Sequence, residues 1–250
     1  MRIITLAADT RAAKLLDCDT VSRVLLPLVA FGVDALLLAL AVVGLVALRD
    51  HPRALALLGV WLVSNLALSL MRPVGSQKRA HIVRDAPFVM LALFFIPLFA
   101  PPLSAWGEAH GIWATPWAVL PPALTGTVMW GGVLVTAAGL TLRISAMRLL
   151  GSRFSPQIAM QPEHALETGG PYSRVRHPGY LGALLATAGA ILAFGSMIAW
   201  PLFALMLLAQ NARASREEAL LKKHFGDEWL AYRKQAGRFI PRLGSRRRVS

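Results

Sequence analysis

The chain has 250 residues, 56% of them hydrophobic, a mean hydropathy of +0.54 and a formal charge of +13 at pH 7. Soluble domains use about 45–50% apolar residues, so this composition excludes an ordinary soluble enzyme and points to a membrane protein. The single cysteine, Cys18, excludes an intrachain disulfide and a thiolate metal cluster. The histidines lack metal-ligand spacing, and no Walker or dinucleotide glycine pattern occurs.

Residues 1–23 mix Ile3, Ile4, Leu6, Leu15 and Leu16 with Arg2, Arg11 and Lys14, a pattern that predicts an interfacial amphipathic helix. Val24 to Leu48 follows with Asp34 as its one charge. It exceeds both the ~20 residues a bilayer-crossing helix needs and the ~7–15-residue apolar core of a signal peptide, and reads as a retained span. Asp34 is read as reaching headgroups from one end of it. Ala54 to Met71 and Ala86 to Pro101 are free of charge, and Ala123 to Leu142 is a fourth apolar run that continues as helix to about Leu150. Tyr180 to Phe194 and Ile198 to Ala212 complete the set, with Gly195 and Ser196 between them and Pro201 just inside the second. That punctuation predicts a tight helical hairpin. The expectation is an all-α, polytopic integral membrane protein of about six transmembrane helices, with a C-terminal hairpin and a cytoplasmic loop and tail.

Charge placement supports that topology. Of the 26 lysines and arginines, all but Arg49 and Arg53 lie before the first span, between Arg72 and Arg84, from Arg143 to Arg176, or from Arg213 onward. Pro101 to Pro122 holds none. Six crossings put the four basic stretches on one side, which the positive-inside rule makes cytoplasmic, with both termini. The basic excess is therefore a topology signal rather than a nucleic-acid footprint, and Arg246, Arg247 and Arg248 suit anionic membrane lipids.

Two regions differ in character. Residues 1–122 read as membrane-anchoring helices; residues 123–250, where spans alternate with stretches rich in His, Arg, Glu and Tyr, read as the site-bearing core. Between the fourth and fifth spans, Pro156, Pro162, Gly169, Gly170, Pro171 and Pro178 exclude a continuous helix. Pro178 fits the first turn of the fifth helix, which places His177 at its N-terminus. Gly182, Ala186 and Ala190 form a small-residue stripe there, and Gly132 and Thr136 offer a similar one on the fourth span, which permits close packing in lipid. Past the sixth span, Arg213 and Glu217 share a helix face. Gly226 ends that helix, and "DEWLAYRKQAG" reads as a short surface helix with Trp229 and Tyr232 at the interface. Arg174 and Arg176 read as positive-inside anchors, and Glu218 as facing water.

The segments "GGPYSRVRHPGYLG" at 169–182, "REEALLKKHFGDEWLAYRK" at 216–234 and "RFIP" at 238–241 together resemble the isoprenylcysteine carboxyl methyltransferase family and its phospholipid methyltransferase relatives. The resemblance covers about the last 100 residues; the part before Ala123 shares only its apolar spans. It implies a membrane methyltransferase that uses S-adenosylmethionine. His177, Pro178, Gly179 and Tyr180 match the tetrapeptide lining the cofactor pocket, and Tyr172 matches the Gly-Pro-Tyr tyrosine. His164, Ala165, Leu166 and Glu167 match an upstream cofactor-contacting segment. Glu167 departs from the usual valine, which implies a backbone contact. The upstream glutamine is Gln161 or Gln157, with Gln161 favoured. Glu217 matches a glutamate facing the cofactor, and Arg213 an arginine assigned to the substrate. No metal is implied.

The chemistry of these residue types agrees. S-adenosylmethionine needs donors, acceptors and stacking surfaces together. The fifth helix's N-terminal N–H groups and His177 suit its carboxylate, Glu217 its ammonium or ribose, and Tyr172 and Tyr180 the adenosine or sulfonium. A carboxylate acceptor needs no base, and Arg213 would hold it by a charged hydrogen-bond pair. The expected acceptor is lipophilic, an isoprenylcysteine-like or other lipid, reached on the cytoplasmic side. Two alternatives stand beside this reading: an NADPH-dependent membrane reductase of the sterol reductase type, and a non-catalytic lipid-binding protein.

Overall fold

The computed structural model describes residues 29, 32–33, 35–37, 50–71, 81–83, 87–114, 119–151, 158–160 and 166–242. It is predominantly helical: α1 Pro52–Met71, α2 Pro87–Ala109, α3 Pro122–Leu150, α4 Pro178–Leu192, α5 Trp200–Phe225 and α6 Asp227–Gln235. The described residues among 29–37 are helical too, and Ala35 packs on the cluster that α1, α3 and α4 share. The amphipathic reading of residues 1–23, Asp34 and the Arg246–Arg248 run lie outside the described residues.

Four predicted spans coincide with helices α1, α2, α3 and α4; three keep their boundaries to within about two residues, while α2 runs past the predicted end at Pro101, through Pro102, to Ala109. Of the helices described, α2 and α3 are long and apolar enough to cross a bilayer, with mean hydropathies of 2.0 and 1.5. At 1.5 Å per residue the 15-residue α4 is roughly 22 Å long, short of a bilayer core of about 30 Å. The sixth predicted span is the first half of α5, which runs on unbroken through Arg213 and Glu217 until Gly226, at φ +53°, ends it. α5 is long enough, but its charged second half lowers its hydropathy.

A small ribbon accompanies this helical fold. β1 (His81–Val83) and β2 (Ile158–Met160) pair antiparallel, with His81 opposite Met160 and Val83 opposite Ile158. Three-residue strands inside loops carry too little periodicity to be read from sequence. The ribbon joins the α1–α2 loop to the α3–α4 loop, so both lie at one end of the bundle.

The other end is tied as firmly. In the α4–α5 turn, Ser196 Oγ donates to Ile112 O at 2.7 Å and Met197 N to Trp113 O at 2.7 Å. Arg53 at the start of α1 donates to Glu108 at 2.9 Å and to Ala193 O at 2.7 Å. Ser104 reaches Ile191 O and Ser196 O, so α2 is pinned to the hairpin as well. The predicted hairpin is present, and α2, α4 and α5 share an apolar cluster of Val89, Ile96, Leu184, Ile191 and Met206.

The tightest contact is antiparallel, between α3 and α4. A Cβ on Gly139 would lie 2.5 Å from Ala186 N, and one on Gly182 would lie 2.5 Å from Gly139 O. Gly132 and Gly189 face each other in the same way two turns on. Backbones therefore touch along both helices, and Thr136 Oγ1 bridges to Ala186 O at 3.3 Å. This is the close packing the small-residue stripes predict. Gly131, beside Gly132, has open space where a Cβ would go.

That contrast gives a test. Gly139→Ala should destabilise the detergent-solubilised protein by about 1–3 kcal/mol, as overpacking does, whereas Gly131→Ala should hold or gain about 0.5–1 kcal/mol from helix propensity. Thermal melts of the two variants check this, and equal melting would contradict the seam.

Candidate active site

The site forms where the N-terminus of α4 meets the second half of α5. Pro178 occupies the first turn of α4 with His177 as its N-cap. Gly179 O accepts from Arg143 of α3 at 3.1 Å, which fixes the mouth of α4 against α3. Tyr180, the third residue of α4, donates its hydroxyl to Glu217 Oε2 at 2.5 Å and accepts from Arg213 Nε at 2.9 Å. The Arg213 guanidinium also lies over the Tyr180 ring, 5.7 Å from its centroid. The helix spacing of Arg213 and Glu217 thus places both on one tyrosine, as their shared face requires. The His177 ring stacks on Tyr180 at 5.2 Å with planes 9° apart, and Phe239 lies 6.1 Å from His177.

Beside this group stands an ion cluster that the sequence reading assigned wrongly. Glu218 is buried, not water-facing. Its Oε1 accepts from Arg176 Nε at 3.2 Å and Arg238 Nε at 3.1 Å and lies 3.2 Å from His177 Nε2; its Oε2 accepts from Arg238 Nη2 at 2.7 Å. Arg176 is likewise no solvated anchor: its side chain is buried, donates to Ala236 O and lies over Trp229. Arg174 stays exposed. Burial acts to raise the Glu218 pKa, but the bonds from His177 and Arg238 and the Arg176 charge outweigh it. The carboxyl is held well below its usual range.

The same cluster straps the C-terminal segment across the loop. Val175 bridges Gly237 in parallel; Arg176 N donates to Gly237 O at 2.7 Å, His177 N to Arg238 O at 3.2 Å, and Gly237 N to Arg174 O at 3.0 Å. A Cβ at Gly237 would lie 1.8 Å from Ile240 O, so the strap needs glycine there. Trp229 and Tyr232 correct a second expectation. They are buried rather than interfacial, in a cluster with Ala236 that packs Leu166, Leu221 and Phe225. Tyr232 donates to Tyr172 O at 2.7 Å, and burial pushes its phenol pKa up.

The sequence-predicted residues therefore divide. Tyr180, Glu217, Arg213 and His177 converge, with Pro178 and Gly179 as the turn that presents them. Tyr172 and Leu166 sit instead with α6, and Glu167 accepts from Gly169 N at 3.0 Å. Gln161, its alternative Gln157, His164 and Ala165 lie outside the described residues. The helix mouth has fewer free donors than expected: His177 N is bonded to the strap, Pro178 has none, and Tyr180 N and Leu181 N both turn back to His177 O. Sequence reasoning missed Arg143, Arg176, Glu218 and Arg238. Arg238 stood in the quoted "RFIP" and Glu218 in the paired glutamates, so the signal was present without its geometry. A depression of about 430 Å³ bordered by Arg53, Glu108, Met129 and Trp130 lies at the far end of the bundle. Its charged wall is the Arg53–Glu108 pair that ties α1 to α2.

Residues 132–223 match the family described as the isoprenylcysteine carboxyl methyltransferase (ICMT) family. The resemblance is to that family. The matched stretch contains His177, Tyr180, Arg213, Glu217 and Glu218. A protein-S-isoprenylcysteine O-methyltransferase of Schizosaccharomyces pombe is 38% identical over 106 residues, 41% of this chain and 45% of that protein. One of Dictyostelium discoideum is 29% identical over 136 residues, 50% of this chain and 54% of that one. The chain spans about half the length of the curated relatives it matches. A solved structure of a eukaryotic intramembrane Ras methyltransferase, ICMT, aligns at a TM-score of 0.48 and 22% identity, covering 76% of this chain and 67% of that one.

The depressed Glu218 pKa has a pH signature. Its contribution to stability is complete above the unfolded-state value of about 4.3 and is lost as pH falls from there toward the lower folded value. Melts between pH 3 and 7 should show an acid-limb slope that Glu218→Gln reduces, with the variant less stable at neutral pH. Parallel slopes would refute the assignment.

Proposed function

We propose that the protein is an integral membrane methyltransferase that passes a methyl group from S-adenosylmethionine to the carboxylate of a lipophilic, isoprenylcysteine-like acceptor. The observation that carries this reading is the Arg213–Tyr180–Glu217 chain, at 2.9 and 2.5 Å, inside the family-matched stretch. The names of the matched relatives, which describe methyl transfer to protein S-isoprenylcysteine, supply the acceptor class.

The donor set fits an amphoteric sulfonium nucleoside. A half-exposed carboxylate (Glu217), a guanidinium (Arg213) and a stacked imidazole–phenol pair (His177, Tyr180) stand within one helical turn of each other. Glu217 would hold the cofactor's ammonium or ribose, and the His177–Tyr180 stack its planar or cationic part. When bound, the cofactor would supply an electrophilic methyl, which a carboxylate oxygen would take as the C–S bonding pair returned to sulfur. Arg213 binds and orients the acceptor carboxylate and Tyr180 fixes the angle between Arg213 and Glu217, so that alignment supplies much of the rate. Glu218 keeps the His177 ring in place, because an ionised carboxylate can only accept and Nε2 must therefore carry its proton.

The same reading places the site on the cytoplasmic side of six crossings. The β1–β2 ribbon and the α4–α5 turn support it: they put the basic loops at one end and the loop free of lysine and arginine at the other. Glu108 answers Arg53 at that second end. Residues 1–122 serve as anchor and residues 123–250 as the methyltransferase core.

Thermal melts with S-adenosylhomocysteine against NADPH test the cofactor, and isotopically labelled methyl donor with an N-acyl S-isoprenylcysteine tests the transfer. Stabilisation by S-adenosylhomocysteine alone and a labelled ester are expected. Glu217→Ala should weaken S-adenosylhomocysteine about 10–100-fold, the scale of one charged hydrogen bond. Arg213→Ala should keep that affinity and lower turnover by a similar factor. Equal nucleoside binding by wild type and Glu217→Ala would remove the assignment.

A further inference from the structure

Gln210 is 4% exposed, and its side-chain oxygen is buried with no hydrogen-bond partner. A buried unpaired polar atom is destabilising, and an apolar residue at this position would avoid that. Gln210 lies on the buried stripe of α5, with Met206, Ala209, Arg213, Ala214 and Glu218. It stands one turn before Arg213, on the side toward mid-bundle. Met206 and Ala209, the next buried residues back, belong to the apolar cluster with Val89 and Leu184. Gln210 is thus where the polar site gives way to the apolar bundle, and its side-chain oxygen is left with hydrogen-bonding capacity that the protein itself does not use.

We propose that Gln210 is an acceptor-recognition residue that hydrogen-bonds the amide next to the methylated carboxylate, so that the enzyme prefers acylated amino acids over simple lipid acids. The proposal rests on the carboxylate reading of Arg213. In an N-acyl amino acid the amide N–H is on the carbon that bears the carboxylate. Residues three apart on a helix have Cβ atoms about 5–6 Å apart. Arg213 on the carboxylate and Gln210 on the amide are therefore one recognition unit, with Arg213 toward the cytoplasmic mouth and Gln210 toward the lipid. The amide of glutamine both donates and accepts, so either its oxygen meets the acceptor's N–H or its NH₂ meets the acyl C=O. A lipid acid without the amide leaves this buried group unpaired, and that difference discriminates between acceptors.

The test uses the full chain in detergent with labelled S-adenosylmethionine and two acceptors: an N-acetyl S-isoprenylcysteine and the S-isoprenyl 3-mercaptopropionate that lacks the amide. Wild type should favour the first by about 10-fold or more in kcat/KM. Gln210→Met, similar in volume, should lower the amide-bearing acceptor to the level of the other. It should leave the second acceptor within about twofold, S-adenosylhomocysteine affinity unchanged and the melting temperature equal or higher. Equal use of both acceptors by wild type overturns the proposal, as does an equal loss on both in Gln210→Met, which marks a structural role. Weaker S-adenosylhomocysteine binding by Gln210→Met overturns it by moving Gln210 to the donor site. A wild type that binds S-adenosylhomocysteine and methylates neither acceptor refutes the acceptor class itself, and the two failures are distinguishable.

Discussion

One buried carboxylate holds the site together. From its place on α5, Glu218 reaches two other segments: the turn before α4 through Arg176 and His177, and the strap after α6 through Arg238. A lone carboxylate with this burial would be expelled or neutralised. Here arginine forks and an imidazole meet both of its oxygens, so the ion is stable where it stands. Removing one partner of such a cluster costs about 3–5 kcal/mol, because the others are left charged and unpaired. The cluster also fixes a proton. With His177 Nε2 committed to Glu218, Nδ1 is the edge that faces Glu217, 3.8 Å away. Glu218 therefore sets the orientation of the ring on which Tyr180 stacks.

Glu217 and Glu218 show how adjacent residues with one side chain acquire different tasks. Successive positions on a helix point in directions about 100° apart. Glu218 turns toward the strap and is enclosed; Glu217 turns toward Tyr180 and keeps a 34% exposed side chain. A buried, fully bonded carboxylate is a poor ligand for anything that enters, and a partly exposed one with an oxygen to spare is a better one. The sequence reading chose Glu217 for the cofactor on the family pattern, and the proposed function keeps that choice because Glu217, unlike Glu218, is partly exposed.

Much of the architecture was legible in the amino-acid sequence because it depends on local signals. Pro178 and Gly226 mark helix ends by backbone chemistry, and both stand at those ends. The hairpin at Gly195–Ser196 and the stripes of Gly182, Ala186 and Thr136 were equally local. What failed depends on long-range pairing. Arg176 looks like a topology charge because its partners, Glu218 and Ala236, are about 40 and 60 residues away. Trp229 and Tyr232 look interfacial because an aromatic on a short amphipathic helix fits a headgroup layer as well as a protein groove. Only the docking of α6 over the Tyr172 turn decides between them. The ribbon of β1 and β2 was invisible for the same reason, since neither half has a pattern of its own.

The glycine seam explains why the polar group sits at its particular depth. Gly182 packs so closely on α3 that a Cβ there would meet Arg143 N at 2.7 Å, and Arg143 in turn caps Gly179 O. The α3–α4 register and the height of the α4 mouth are thus one quantity. Tyr180 lies between Gly179 and Gly182, so its hydroxyl meets Arg213 and Glu217 only in that register. A shift of one residue along α4 would move it by 1.5 Å and rotate it by about 100°, away from both. In a bilayer, where lipid tails give helices no hydrophobic reason to associate, backbone contact through glycine is the means of fixing such a register. The small residues first read as packing alone are, on this argument, what brings a tyrosine from one helix to an arginine and a glutamate on the next.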